Sequence, residues 1–365
     1  MKTSFISNLA VQNAMRLSVQ RGQQEVVKLQ QEATTGVHAD PGASLGSSAA
    51  RLVSLKDELQ RLANIKDTNA LVTQRLSTSQ LAVESMRKAG EEMNTTLVGA
   101  MGVEDASRLG NTKTAVISTF NAFFVAANSQ SNGEYLLSGV NSDARPLLPY
   151  AENEAAKKTF YDAFESFKLE NNGDPANTPI ATLKDLSAAQ MRDFIDRKIV
   201  PLYVGDTSAG EKAVPDQWMT DWSKASDSNV QSRISGSEVV ASNTNANEAG
   251  VRKMVLASVL ATELIAADLT SEARLVANQK AQNYTQQAIS GMISMGSDLG
   301  TSEGRVSKAN TLLDSQTKLL ITHVSDLEGV DPYEATTRMK ALMTQIETSY
   351  TLTSRMQQLS LINFL

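Results

Sequence analysis

The sequence predicts a mainly α fold: a long helical bundle or coiled coil made from both termini, with an inserted α+β domain in the middle. Three observations carry this. Apolar helical patterning continues through Leu352, Met356, Leu359, Leu361, Ile362, Phe364 and Leu365. A second apolar stripe begins almost at the first residue, with Phe5, Ile6, Leu9, Val11, Met15, Leu17 and Val19. Between them the composition shifts: six of the 8 prolines fall between residues 146 and 215, and half of the aromatic residues fall between 145 and 240. Chain ends normally fray, so two greasy ends need something to dock against, each other or neighbouring copies.

The first helix covers Phe5 to Ala33, and residues 34–48, with Thr35-Gly36 and Asp40-Pro41-Gly42, form a connector. From Leu52 the apolar positions Leu55, Leu59, Leu62, Ile65, Val72, Leu76, Val83 and Met86 keep three- and four-residue spacing, with Asn69 as a polar residue that fixes register. A helix over 112–129 presents Val116, Phe120, Phe123, Phe124 and Ala127 and ends near the turn pair Asn132-Gly133, after which 135–140 reads as a short strand.

In the middle segment, Phe160, Phe164 and Phe167 make an aromatic helical face, read as core rather than a ligand cleft. Ser187 and Gln190 form a capping box ahead of Met191, Phe194, Ile195 and Ile199. Trp218 and Trp222 are core or an exposed partner surface, and 229–241 alternates around Ser235-Gly236 as a hairpin.

Helices follow over 248–268 and 271–295; Gly296, Gly300 and Gly304 are expected to bend the pattern or permit close packing before a further helix resumes near Arg305. The last helix opens at Asp331-Pro332, with Asp as N-cap and Pro in the first turn, and runs to the end. The organisation is therefore 1–40 with 333–365 as a terminal helical pair, 41–145 with 245–332 as a long-helix bundle, and 146–244 as an inserted variable domain with its own core.

Composition narrows function. The net charge of −6 and the lack of any basic run argue against nucleic acid and anionic membrane as partners. No cysteine is present, which excludes disulfides and thiolate chemistry. The greasiest run, 254–269, contains Thr262, Glu263 and Asp268 and reads as a buried helix, not a membrane span. No uninterrupted apolar h-region follows Met1-Lys2, so a cleaved signal peptide is not expected. His38 and His323 stand apart with no metal spacing or serine partner, and Glu91-Glu92 diverge on a helix, so neither enzyme nor cofactor is expected. The candidate functional residues are those of the terminal stripes, as assembly and partner contacts: Phe5, Leu9, Met15, Val19, Met339, Met343, Ile346, Tyr350, Met356, Leu359, Phe364 and Leu365.

Residues 127–139, Ala-Asn-Ser-Gln-Ser-Asn-Gly-Glu-Tyr-Leu-Leu-Ser-Gly, followed by Pro146, resemble the segment closing the N-terminal helical half of bacterial hook-filament junction proteins, the flagellar hook-associated protein 3 family, relatives of flagellin. The ending from Gln345 to Leu365 and the lead into Thr34-Thr35-Gly36 and Asp40-Pro41 are similar to the same superfamily. The resemblance covers about 1–145 and 245–365; residues 146–244 carry none. It implies a structural subunit of the flagellum, exported without a cleaved signal through the type III apparatus, that polymerises outside the cell as the adaptor between hook and filament. It implies as partners other copies of the chain, another hook-associated protein and flagellin, together with an export chaperone on the C-terminal helix. Flagellin itself is the alternative reading, and Val37-His38 and Leu136-Leu137 depart from the junction pattern.

Overall fold

A computed structural model describes residues 8–175, 177–204 and 214–362, with side chains for all of these except 8, 9, 12 and 356–362. The chain is mainly α. In order it forms α1 (Asn8–Thr35), α2 (Pro41–Leu45), α3 (Ser48–Gly99), α4 (Ala106–Ala127), β1 (Gln130–Ser131) and β2 (Glu134–Tyr135). The middle holds α5 (Glu154–Gly173), α6 (Ala188–Phe194), α7 (Val200–Val204), α8 (Asp216–Asp221), β3 (Gln231–Arg233) and β4 (Val239–Ala241). Then come α9 (Ala249–Leu264), α10 (Ser271–Glu328) and α11 (Pro332–Ile362).

Two compact units result, one made of the chain up to Asn64 and from Leu312, the other of Ile65–Thr311. The limits at 40/41 and 332/333 expected for a terminal pair fall inside the first unit, and those at 145/146 and 244/245 fall inside the second.

In the second unit, α3 buries Asn69, Val72, Leu76, Ser79, Val83, Met86, Gly90, Met93 and Leu97, alternating steps of three and four. The same alternation on α10 buries Ala281, Thr285, Ala288, Met292, Met295 and Leu299, resuming at Val306 and Ala309. Near-3.5-residue periodicity keeps one stripe of each helix facing its partner. The helices run antiparallel: Asn278 Nδ2 donates to Leu97 O (3.0 Å), Gln80 Nε2 to Glu303 Oε2 (2.9 Å), and Asn69 Nδ2 to Asn310 Oδ1 (2.7 Å). Asn69 also donates to the Ile234 carbonyl at 2.9 Å, so one buried amide ties α3 to α10 and to the β3–β4 hairpin.

Helix α9 lies in the core, with most of its side chains buried. It meets α10 at Gly250 and Gly291, where a Cβ on Gly250 would sit 2.9 Å from the Gly291 backbone and one on Gly291 2.6 Å from Gly250 Cα. Only two glycines allow that approach.

Several expectations are corrected. Helix α10 is not interrupted at Gly296, Gly300 and Gly304, and these glycines do not mediate close packing: a Cβ at Gly296 or Gly304 meets nothing within 4 Å, and one at Gly300 meets only Gln80 Nε2 at 3.8 Å. The seam residues on both sides keep the helix intact, outweighing a propensity cost of about 0.5–1 kcal/mol per glycine. The strand expected over 135–140 is confined to β2, which pairs with β1 through the Asn132-Gly133 turn, both at positive φ (53° and 83°). Ser138 contributes an isolated bridge to Asn245. Helix α4 starts earlier than 112, at Ala106, because Asp105 caps it by accepting from Arg108 N (2.8 Å).

The middle segment does not close a core of its own. Trp222 stacks on Tyr150 (5.7 Å) and on Phe124 of α4 (6.2 Å), and Tyr150 also meets Phe120 (5.8 Å). Trp218 and Trp222 are buried, which removes them as an exposed partner surface. Phe160, Phe164 and Phe167 of α5 surround Phe194 at 5.5–5.9 Å. The Ser187/Gln190 capping box opens α6. Just ahead of Pro201, which has no N–H to give, the helix loosens into a π-turn where Val200 N donates to Ile195 O. The hairpin β3–β4 is antiparallel, pairing Gln231 with Ala241 and Arg233 with Val239.

Candidate assembly surface

In the first unit, α1 and α11 form an antiparallel pair. On α11 the seam is Ala335, Met339, Leu342, Ile346, Ser349 and Thr353; on α1 it is Met15, Val19, Gly22, Val26 and Leu29. A Cβ at Gly22 would lie 3.1 Å from Ile346 Cγ1, Thr353 Oγ1 donates to Met15 Sδ at 3.7 Å, and Gln23 Nε2 donates to Tyr350 OH at 3.0 Å.

A short clasp closes one end of the unit. Val37 and Gly329 bridge antiparallel, His38 N donates to Glu328 O (2.9 Å) and Val330 N to Gly36 O (2.9 Å). Lys56 pairs with the Glu328 carboxylate, and Ala39 N donates to Glu32 Oε1 (3.1 Å). Gly36 at φ +71° lets the chain leave α1, Asp40 Oδ1 caps α2 by accepting from Ala43 N (3.0 Å), and Asp331 Oδ1 accepts from Tyr333 N (2.8 Å) at the start of α11.

The seam is only half covered. Among the described side chains of α1 and α11, only Leu29 and Ala335 are buried, while Leu17, Val27, Tyr333, Met343, Tyr350 and Leu352 are exposed. An open groove of about 560 Å³ runs beside Met15, Val19, Gln20, Gln23, Tyr350 and Thr353. Two helices alone cannot enclose their shared stripe; a third layer is needed to bury it.

Of the residues singled out by sequence, Met15, Val19, Met339 and Ile346 lie half-buried in the seam, and Met343 and Tyr350 lie exposed beside it. Leu9, Met356 and Leu359 are on helical backbone with their side chains outside the described set, and Phe5, Phe364 and Leu365 lie outside the described residues. Sequence reasoning missed Gly22, Val26, Leu29, Ala335, Ser349 and Thr353 as seam positions; Leu342 it placed on the apolar face of the last helix without singling it out. Continuing the three–four spacing from Met15 and from Met339 finds them all; Gly22, Ala335, Ser349 and Thr353 escaped notice because they are small or polar.

The 127–139 segment is structural throughout. Asn128 Nδ2 donates to Leu147 O and its Oδ1 accepts from Leu147 N, both at 3.0 Å, which mimics a strand partner. Gly139 sits at φ +64° with its would-be Cβ 2.4 Å from Ser226 O, so only glycine fits. Its carbonyl accepts from buried Asn243 (2.8 Å), part of a buried run in which Asn247 Oδ1 accepts from Trp218 Nε1 (2.8 Å) and from Ser223 Oγ (2.5 Å). This asparagine cluster was also missed, since its signal is only a polar run before α9.

Glu263 accepts from two phenols, Tyr150 OH (2.6 Å) and Tyr161 OH (2.8 Å). Burial, then the glutamate's bonds and charge, push the Tyr161 hydroxyl up to about 12 and the Tyr150 hydroxyl well above the ordinary range. Among the described residues no group of His, Asp and Glu could hold a metal ion, and no helix is long and apolar enough to cross a membrane.

The helical ends of the chain pair but leave their seam half open. Comparison with known families names the class of the chain: the bacterial flagellin N-terminal helical region matches residues 6–142, and the bacterial flagellin C-terminal helical region matches residues 282–365. The chain belongs to the flagellin family. No curated protein matches it. Among solved structures it is similar to one described as a flagellar hook-associated protein from Vibrio parahaemolyticus, at 12% identity and a TM-score of 0.42, over 76% of this chain and 99% of that one. Flagellin-family proteins are structural, non-enzymatic subunits, and this chain is a structural component that polymerises within the extracellular flagellum.

Proposed function

We propose that the chain is the adaptor joining hook to filament, assembling through its terminal helices. The observation that carries the assembly part is the half-buried α1/α11 seam, whose stripe gains full burial only from neighbouring subunits. The adaptor role, as against that of the filament subunit, is supported by the Ala127–Gly139 sequence with its Asn-Gly turn and Tyr-x-x-Ser-Gly ending. On this reading its neighbours are other copies, a second hook-associated protein and flagellin. Before assembly, the stripe from Met339 to Leu365 is covered by an export chaperone, and the chain leaves through the flagellar type III apparatus without losing a signal peptide. Deleting the gene tests the role: hooks remain and flagellin monomers spill into the medium. Loss of filament with nothing spilled would instead identify the chain as flagellin. Intact Met1 in purified hook–filament material checks the export route.

A further inference from the structure

Two helices of the second unit carry exposed faces without charge. No Asp, Glu, Lys or Arg occurs from Thr114 to Gly133, or from Ala281 to Ser297, in a chain where 20% of residues are charged. These stretches are not simply core. On α4 the residues Thr114, Ile117, Asn121 and Val125 share one exposed face, and on α10 so do Gln286, Ser290, Ile293 and Ser297. Val125 is 74% exposed and Ile293 56%.

Solvated helix faces normally carry charge, which keeps them soluble and is costly to bury unpaired. The buried centre of an interface is depleted in charge for the same reason. Two of the three hydroxyls here are prepared for burial: Thr114 Oγ1 donates to Gly110 O and Ser290 Oγ to Gln286 O, each at 3.1 Å, so neither needs water for its proton. Two uncharged faces can cover each other without stranding a charge. The chain carries two such faces, one on α4 and one on α10.

We propose that the α4 face of one copy packs on the α10 face of the next, a head-to-tail contact that repeats along a polymer instead of closing a dimer. This rests on the self-assembly reading above and names the surfaces it would use.

The cysteine-free chain makes the test direct. Full-length Val125→Cys and Ile293→Cys variants are co-expressed in the source bacterium, and isolated flagella are treated with a short bis-maleimide cross-linker. Dimers are expected when both variants are present, several-fold above either variant alone. Both positions are exposed, so the monomers should melt as the parent does by circular dichroism. Chain present in flagella without the mixed dimer, or with equal dimer from a single variant, overturns the α4–α10 contact alone. Absence of even the parent chain from flagella overturns the assembly reading and this contact with it. As a second measurement, Val125→Lys should lower incorporation several-fold and Ile293→Glu in the same chain should restore it; no loss, or loss without rescue, counts against the contact.

Discussion

Along α3 from Asn69 to Leu97, and along α11 from Ala335 to Thr353, seam residues recur at the same alternating steps of three and four. On α3 those positions are buried, with Leu76, Met86, Met93 and Leu97 at 0% exposure; on α11 only Ala335 is buried. Spacing sets which face a helix turns to its partner, but burial depends on how many layers surround it. The α3/α10 seam has α9, the hairpin and the aromatic cluster in the same unit, whereas the α1/α11 seam stays half exposed in its own. The difference between a closed core and a half-open seam therefore lies in the surroundings, with the same pattern written into both.

Truncation is the largest way to break that comparison. A chain ending at Asp331 loses every α11 seam residue and should fail to enter flagella, while the melting of the Ile65–Thr311 unit stays as in the parent. A truncated chain that still assembles would remove the terminal pair from the account. A lost melting transition for the second unit would show that the two seams are not separable.

The next effect contrasts glycines. A methyl at Gly250 must push against the Gly291 backbone at 2.9 Å, which no side-chain rotation relieves. Gly250→Ala should cost about 1–3 kcal/mol, the range for overpacking a tight core. A methyl at Gly22 meets side chains alone, Ile346 at 3.1 Å from Cγ1 and 3.2 Å from Cδ1 and Leu342 Cδ1 at 4.0 Å, which can shift in a half-open seam. Alanine favours a helix over glycine by about 0.5–1 kcal/mol, so Gly22→Ala should be neutral or stabilising. Denaturant unfolding of both variants measures the contrast, and equal losses would mean the α1/α11 pair is packed as tightly as the core.

Much of this fold was legible because helical periodicity survives at the level of single residues: the seam from Leu52 to Met86, the capping box at Ser187, the Asp331-Pro332 start and the Asn132-Gly133 turn all carry local signals. The continuity of α10 through three glycines was not, because the packing that overrides their propensity is tertiary. The joined aromatic core was hidden for a related reason: a cluster of Phe, Tyr and Trp in one stretch says that it is buried, but not that Phe120 and Phe124 from an earlier helix share the burial. The terminal stripes showed which faces were apolar. Their half-covered state became visible only in the exposure of the paired side chains.

The smallest effect concerns how the middle segment is tied to the core. Tyr150 and Tyr161 both donate to Glu263 at the end of α9, and each phenol holds its proton above its ordinary value of 10.0 in the folded chain. A group whose folded pKa is raised contributes stability that is fully present below the unfolded pKa and is lost as pH rises through the folded one. Stability should therefore be flat up to about pH 10 and fall toward the value of about 12 reached by Tyr161, as that hydroxyl ionises beside the carboxylate. Tyr161→Phe removes one donor and the nearer titration together. In that variant the alkaline fall should begin at higher pH, with only a modest loss at neutral pH because the site is half exposed. Melting followed between pH 9 and 12 decides it, and an unchanged alkaline limb would mean that other tyrosines or lysines govern the loss.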